Sequence, residues 1–241
     1  MLIKVCGMRE PENIRNVSEL DIDLMGFIFY PKSPRYVNMT TTSEAFSFDS
    51  HKNILDEKDK KTSATDKRRF PKKVGVFVDE SHQIIAEHVR NYGLDYIQLH
   101  GKESSDYIES IKSLLTPEIK IIKALSVQNV DDVMRWKDYF GKVDFFLFDT
   151  QCKTYGGSGA QFDWSVLEGY DGDIPFFLSG GIGPGDAERV LSFKHPMMIG
   201  IDLNSRFEIS PALKDVDLLR SFIWKIKGES SLNDISLKEN L

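Results

Sequence analysis

Cys6, one of only two cysteines in 241 residues, closes the run IKVCGMR with a glycine directly behind it. A thiol acts as a base or nucleophile only through its thiolate, and an unpaired cysteine in an apolar run is equally well explained by packing. Asp149 ends the apolar run VDFFLFD. Partial burial there would raise its pKa and keep a proton ready for delivery, the plainer alternative being a solvated aspartate that caps a turn. Arg35, in the proline-stiffened stretch KSPRY, has the forked guanidinium that grips two carboxylate oxygens, or else is a surface arginine. His100 could serve as acid, base or hydrogen-bond donor, or could be structural. Two glycine-rich stretches, YGGSG (155–159) and SGGIG (179–183), would let backbone N–H groups close on an anion. The other histidines (His51, His82, His88 and His195) have no metal-ligand spacing, so no metal is expected, and Cys152 reads as incidental.

These groups need elements to hold them. Eight Val/Ile/Phe-rich runs alternate with segments of helical period: LIKVC (2–6), DLMGFIF (23–29), KKVGVFV (72–78), DYIQLH (95–100), IKIIKAL (119–125), VDFFLFD (143–149), PFFLSG (175–180) and MMIGID (197–202). Most are continuously apolar, as parallel strands covered on both faces are. Ile85, Val89 and Tyr92 share one helical face, as do Ile108, Ile111 and Leu115, while Leu219, Phe222, Ile223 and Ile226 make the clearest stripe. Pro11 and Pro184 suit first helical turns, and the sixth unit offers only a short helix at 164–167. The count predicts an α/β fold, a (β/α)8 TIM barrel, single domain over residues 1–227. A doubly wound open sheet usually has fewer strands, and nothing here matches its G-x-G-x-x-G turn. Outside the regular units lie a polar, charged insertion at about 43–70, read as a solvated insertion or mobile loop, and a polar C-terminal tail, 228–241, read as a frayed or loosely docked extension.

In such a barrel the chemistry gathers at the C-terminal ends of the strands. Cys6, Gln98, His100, Asp149 and Asp202 all close strands on that face, and Arg35 follows the second strand. The loops after strands seven and eight of this fold often hold a phosphate beside a helix N-terminus, which suits SGGIG and DLNSRF. The net charge of −6 disfavours nonspecific nucleic-acid binding but leaves room for a small anion at a local site. No apolar run approaches the roughly 18 residues of a membrane span. Without a secretory signal, and with two cysteines outside any disulfide framework, a cytoplasmic protein is expected.

The blocks KVCGMR, GFIFYPKSPRYV, KVGVFVDES, YIQLHG, FLFDT…YGGSGAQFDW, LSGGIGPGDA and GIDLNSRFE…LKD, taken in order, resemble the phosphoribosylanthranilate isomerase family of tryptophan biosynthesis. The resemblance runs from about residue 2 to about 225. It implies a (β/α)8 barrel that opens the furanose ring of N-(5-phosphoribosyl)anthranilate in an Amadori rearrangement. The product is 1-(2-carboxyphenylamino)-1-deoxyribulose 5-phosphate, made without metal or organic cofactor. It further implies Cys6 as general base and Asp149 as general acid. Arg35 falls at the contact to the anthranilate carboxylate and Asp202 near the reacting sugar, and His100, from its place at a strand end, is counted with them as substrate-binding. Gly156, Gly157, Gly159, Gly180, Gly181, Asn204 and Ser205 fall in the phosphate-binding region. The family usually has two serines and a glycine after the strand-eight aspartate, where this chain has Asn204, Ser205 and Arg206. Its partner is then a small phosphosugar rather than a nucleic acid or a membrane, and the chain is compatible with a monomer or a homodimer. Related phosphate-binding barrels normally carry a lysine–glutamate set or paired aspartates, and a binding-only protein would need neither Cys6 nor Asp149. The thiol presents one difficulty: the phosphate and Asp202 oppose thiolate formation, so base strength must rest on positioning and on the cationic intermediate.

Overall fold

Apolar residues at both parities of a strand require cover on both faces, and the alternation here sorts into two separate cores. Leu24, Val74, Ile122, Ala124, Leu147 and Phe177 point inward and fill one cluster. Their neighbours Met25, Phe27, Ile121, Phe146, Phe148, Phe176 and Leu178 point outward and pack with the helices in a second, larger cluster. The computed structural model describes residues 1–38, 70–150 and 163–238, with side chains through Gly228. Among them, strands β1 (Leu2–Val5), β2 (Leu24–Ile28), β3 (Lys72–Phe77), β4 (Tyr96–Leu99), β5 (Lys120–Val127), β6 (Phe145–Thr150), β7 (Phe176–Ser179) and β8 (Met198–Leu203) close in sequence order. All eight pair in parallel, and β1 seals the barrel against β8 through Leu2↔Gly200, Ile3↔Ile201, Lys4↔Asp202 and Val5↔Leu203. The expected (β/α)8 architecture is therefore the observed one. β5 continues two residues beyond its expected end because Ser126 and Val127 pair with Asp149 and Thr150 of β6.

The helices follow their caps and stripes. Helix α1 (Pro11–Ser18) begins on its proline, whose missing N–H would be unsatisfied there anyway. Helix α2 (His82–Tyr92) is capped by Ser81 and ends on left-handed Gly93, and α3 (Ser105–Lys112) is capped by Ser104. Helix α4 (Val130–Met134) runs into a 3-10 turn. The sixth unit carries a 3-10 helix, Trp164–Gly169, close to the short segment expected. Helix α5 (Ala187–Ser192) starts later than Pro184 suggests. Asp186 folds a turn back onto Gly183, accepting from its N–H at 2.7 Å, and so Pro184 belongs to that turn. Helix α6 (Val216–Lys238) buries Leu219, Phe222, Ile223 and Ile226, and its backbone continues as helix through most of the polar stretch after 228.

One element has no counterpart in the sequence reading. Between β8 and α6 a small antiparallel hairpin forms from β9 (Glu208–Ser210) and β10 (Leu213–Lys214). Asn13 of α1 clips it in place, donating to Lys214 O at 2.9 Å and accepting from Lys214 N at 2.8 Å. Of the 43–70 segment only Phe70 is described, packed against the outer core.

Candidate active site

Cys6 follows β1 directly, and its N–H donates to Leu203 O at 2.9 Å, which extends the β1–β8 ladder by one step. Its side chain is 3% exposed and faces β2, where Gly26 leaves it room: a β-carbon on Gly26 would stand 2.7 Å from the sulfur. Gly7 then turns the chain away at φ +78°, and a side chain there would collide with Arg35 and Asn204. Two residues below the thiol, on the same inward parity, Lys4 is fully buried and donates to Asp202 Oδ1 at 2.7 Å. The other oxygen, Asp202 Oδ2, accepts from Ser179 Oγ at 3.2 Å. Burial pushes the Cys6 thiol up, the Lys4 ammonium opposes this, Asp202 adds to it and Lys214 opposes it, leaving the thiol above its ordinary value. Lys4 shows the converse balance. Burial pulls it down, but the charges of Asp202 and Cys6 outweigh burial and raise it.

Asp149 stands across the mouth, near the end of β6, with its side chain 16% exposed. In the sheet register it lies between Ser126 of β5 and Ser179 of β7. Ser179 reaches Asp202, and Asp202 pairs with Lys4, so strands seven, eight and one are joined through one level of the barrel. His100 Nε2 lies 3.5 Å from Asp149 Oδ2. Gln98, buried two residues earlier on β4, places its side-chain nitrogen 2.9 Å from His100 Nδ1. With that amide donating, the imidazole proton sits on Nε2 and faces the carboxylate.

Arg35 leaves the loop after β2 and is gripped by Glu208, with Nε on Oε1 at 2.8 Å and Nη2 on Oε2 at 2.6 Å. Glu208 also accepts from the buried Lys214 at 2.6 Å, and Lys214 donates to Asn204 Oδ1 at 2.7 Å. Hydrogen bonds donated to Glu208 raise Arg35 above its ordinary value. Burial pushes Glu208 up, but the hydrogen bonds and charges of Arg35 and Lys214 outweigh it and hold the carboxyl below the usual carboxylate range. Glu208 occupies the Nε/Nη2 edge of the guanidinium and leaves its Nη1 edge outside the fork.

The expected phosphate region is divided. Gly180 and Gly181 take positive φ in succession, +95° and +67°, and a β-carbon on Gly180 would stand 2.1 Å from Thr150 O. Ser205, itself exposed, opens a 3-10 turn after β8 that buries Phe207, while the Asn204 side-chain oxygen is committed to Lys214. Gly156, Gly157, Gly159 and Cys152 lie outside the described residues. Among the described residues no three His, Cys, Asp or Glu side chains gather as metal ligands. His88 is tied to Ile84 O, and His195 to Tyr170 O, within the outer packing.

A family model for N-(5'phosphoribosyl)anthranilate (PRA) isomerase matches residues 39–225. The chain belongs to the PRA isomerase family. The N-(5'-phosphoribosyl)anthranilate isomerase of Parabacteroides distasonis is 47% identical over 227 residues, covering 94% of this chain and 93% of that one. A crystal structure of phosphoribosyl anthranilate isomerase with reduced 1-(o-carboxyphenylamino)-1-deoxyribulose 5-phosphate is 29% identical. It superposes with a TM-score of 0.73 over 95% of this chain and 100% of that one. A second structure, described as monomers generated from the dimeric Thermotoga maritima isomerase, is 30% identical. Its TM-score is 0.70 over 95% and 99% of the two chains.

In this PRA isomerase family member the mouth thus brings together Cys6, His100, Asp149, Asp202 and Arg35, all named from sequence. Sequence reasoning passed over Lys4, Gly26, Glu208 and Lys214, and counted Gln98 only as a strand-end residue. Lys4 carried a signal: in a strand that alternates inward and outward, it shares the parity of Cys6 and so had to enter the barrel. Glu208 and Lys214 carried none, because their placement depends on the hairpin.

Proposed function

We propose that this chain isomerises N-(5'-phosphoribosyl)anthranilate to 1-(2-carboxyphenylamino)-1-deoxyribulose 5-phosphate, with Asp149 as general acid and Cys6 as general base. The observation that carries the reading is that thiol and carboxyl end strands on well-separated sides of one barrel mouth. Asp149 delivers a proton to the furanose ring oxygen. The ring C–O bond then breaks as the anilino nitrogen donates its electron pair, leaving an iminium ion. Cys6 removes the C2′ proton, and those electrons form the enolamine, which tautomerises to the ketone. Side chains carry each of these proton transfers, so the reading needs no cofactor. Arg35 would receive the anthranilate carboxylate on its Nη1 edge. The glycines at 180–181 and at 156, 157 and 159, with Asn204 and Ser205, would cradle the phosphate through backbone and side-chain N–H and O–H groups. His100 and Asp202 border the reacting sugar.

The reading extends to a cytoplasmic enzyme acting as a monomer or a homodimer. No helix among the described residues is long and apolar enough to cross a membrane. The test is loss of phosphoribosylanthranilate fluorescence on adding protein. Cys6→Ala and Asp149→Ala should each lower turnover about 10²–10⁴-fold while the fold persists. Full activity in both variants would overturn the assigned roles.

A further inference from the structure

A thiol that burial pushes upward keeps its proton and leaves little thiolate near neutral pH, and a lone buried cation is costly; the structure holds one of each together. Lys4 is fully buried, its ammonium hydrogen-bonds Asp202 at 2.7 Å, and it shares the inward parity of Cys6 two residues further on, where its charge bears on the buried thiol. A structural lysine would need only its carboxylate. Here the carboxylate's second oxygen is held by Ser179, so the Lys4–Asp202 pair is fixed from β7, β8 and β1 together.

The charges around the thiol come from four further segments. Asp202 lies on β8, Lys214 on β10, Glu208 on β9 and Arg35 in the loop after β2, with Lys4 beneath on β1 itself. Lys4, Lys214 and Arg35 are positive, whereas Asp202 and Glu208 are negative, so the cluster holds one more cation than carboxylate. A thiolate at Cys6 balances it.

We propose that Lys4 is a positioning residue for the base: held by Asp202, its ammonium supplies the countercharge against which the Cys6 thiolate forms in the free enzyme. This rests on the reading of Cys6 as general base. Lys4 itself touches no substrate atom in this scheme, since it lies below Cys6 inside the barrel. Asp202 then holds the countercharge in register, a task distinct from bordering the sugar.

The test titrates the Cys6 thiolate by its ultraviolet absorbance in the full chain, on a Cys152→Ser background, with Cys6→Ser added as the blank. In Lys4→Met the inflection should move to higher pH, and the ascending limb of the kcat/KM profile should move with it. Near neutral pH kcat/KM should fall on the order of tenfold for each unit of that displacement, and recover as pH is raised. Lys4→Met leaves Asp202 buried without its partner, so Lys4→Met/Asp202→Asn is made beside it. The Lys4 charge acts on the thiol more strongly than the Asp202 charge, so the inflection should again rise, by less. An unmoved inflection, with kcat/KM lowered equally at every pH, would overturn the proposal and leave Lys4 a structural residue. Full turnover in Cys6→Ala would instead overturn Cys6 as the base. The absorbance reads Lys4 without turnover, so the two failures are distinguishable.

Discussion

Glu208 holds Arg35 by a two-point fork, Nε to Oε1 at 2.8 Å and Nη2 to Oε2 at 2.6 Å, across 173 positions of sequence. Such a fork fixes the plane of the guanidinium and therefore the direction of its remaining edge. If that edge receives the anthranilate carboxylate, Glu208 sets substrate affinity without touching substrate. Glu208→Gln should raise KM at least tenfold with a smaller change in kcat, measured by the fluorescence assay. A kcat loss at unchanged KM would place Arg35 elsewhere in the reaction.

The same carboxylate makes a pH prediction. Glu208 is held below its ordinary value of 4.5, so it binds its proton less readily folded than unfolded. Its contribution is present above that ordinary value and is lost as pH falls through it toward the lower folded value. Denaturant midpoints taken down a pH series should therefore fall on the acid side, and the slope should be shallower in Glu208→Gln. At neutral pH that variant should lose up to about 3–5 kcal/mol, because Lys214 and Arg35 lose a buried countercharge. Parallel acid limbs for the two proteins would rule the contribution out.

Gln98 and His100 differ in what their loss should do. Gln98 donates to His100 Nδ1, yet its own Oε1 is buried with no partner among the described residues. An unsatisfied buried acceptor costs about 1–3 kcal/mol, so Gln98→Leu should melt no lower than the unmodified chain. It should nevertheless lose kcat, because His100 is freed to turn its Nε2 proton away from Asp149. His100→Ala should lose more, about tenfold or beyond, though less than the 10²–10⁴-fold expected of a full acid. A melting loss in Gln98→Leu that tracks its activity loss would mean that the amide is merely structural.

How far these relationships were legible in the sequence depends on whether they are local. The barrel was readable because each strand carries its own apolar run, and the parity of Phe145–Phe148 alone assigns two residues to each core. Cys6, His100, Asp149 and Asp202 were readable because each ends such a run. Glu208 and Lys214 sit in EISPALK, a stretch too short and mixed to declare a strand. They matter only because Asn13 clips the hairpin beneath Arg35. Gly26 lies mid-strand, where the need for a missing side chain comes from Cys6 on the neighbouring strand and from nothing within its own run.

That missing side chain separates the two halves of the site. A β-carbon on Gly26 would stand 2.7 Å from Cys6 Sγ and 3.1 Å from Cys6 Cα, so both the sulfur and its backbone would have to move. Overpacking of this kind costs about 1–3 kcal/mol, and Gly26→Ala should in addition lower kcat while KM stays near its original value. Gly7→Ala strains a φ of +78° and presses on the Arg35 side chain and on Asn204 Oδ1, each 2.7 Å from the added carbon. Its damage falls on the proposed carboxylate contact, so KM should rise more than kcat falls. The two variants, compared by full saturation curves, should thus fail in opposite parameters. Equal losses of both parameters in both variants would mean that neither glycine is matched to the chemistry of its neighbour.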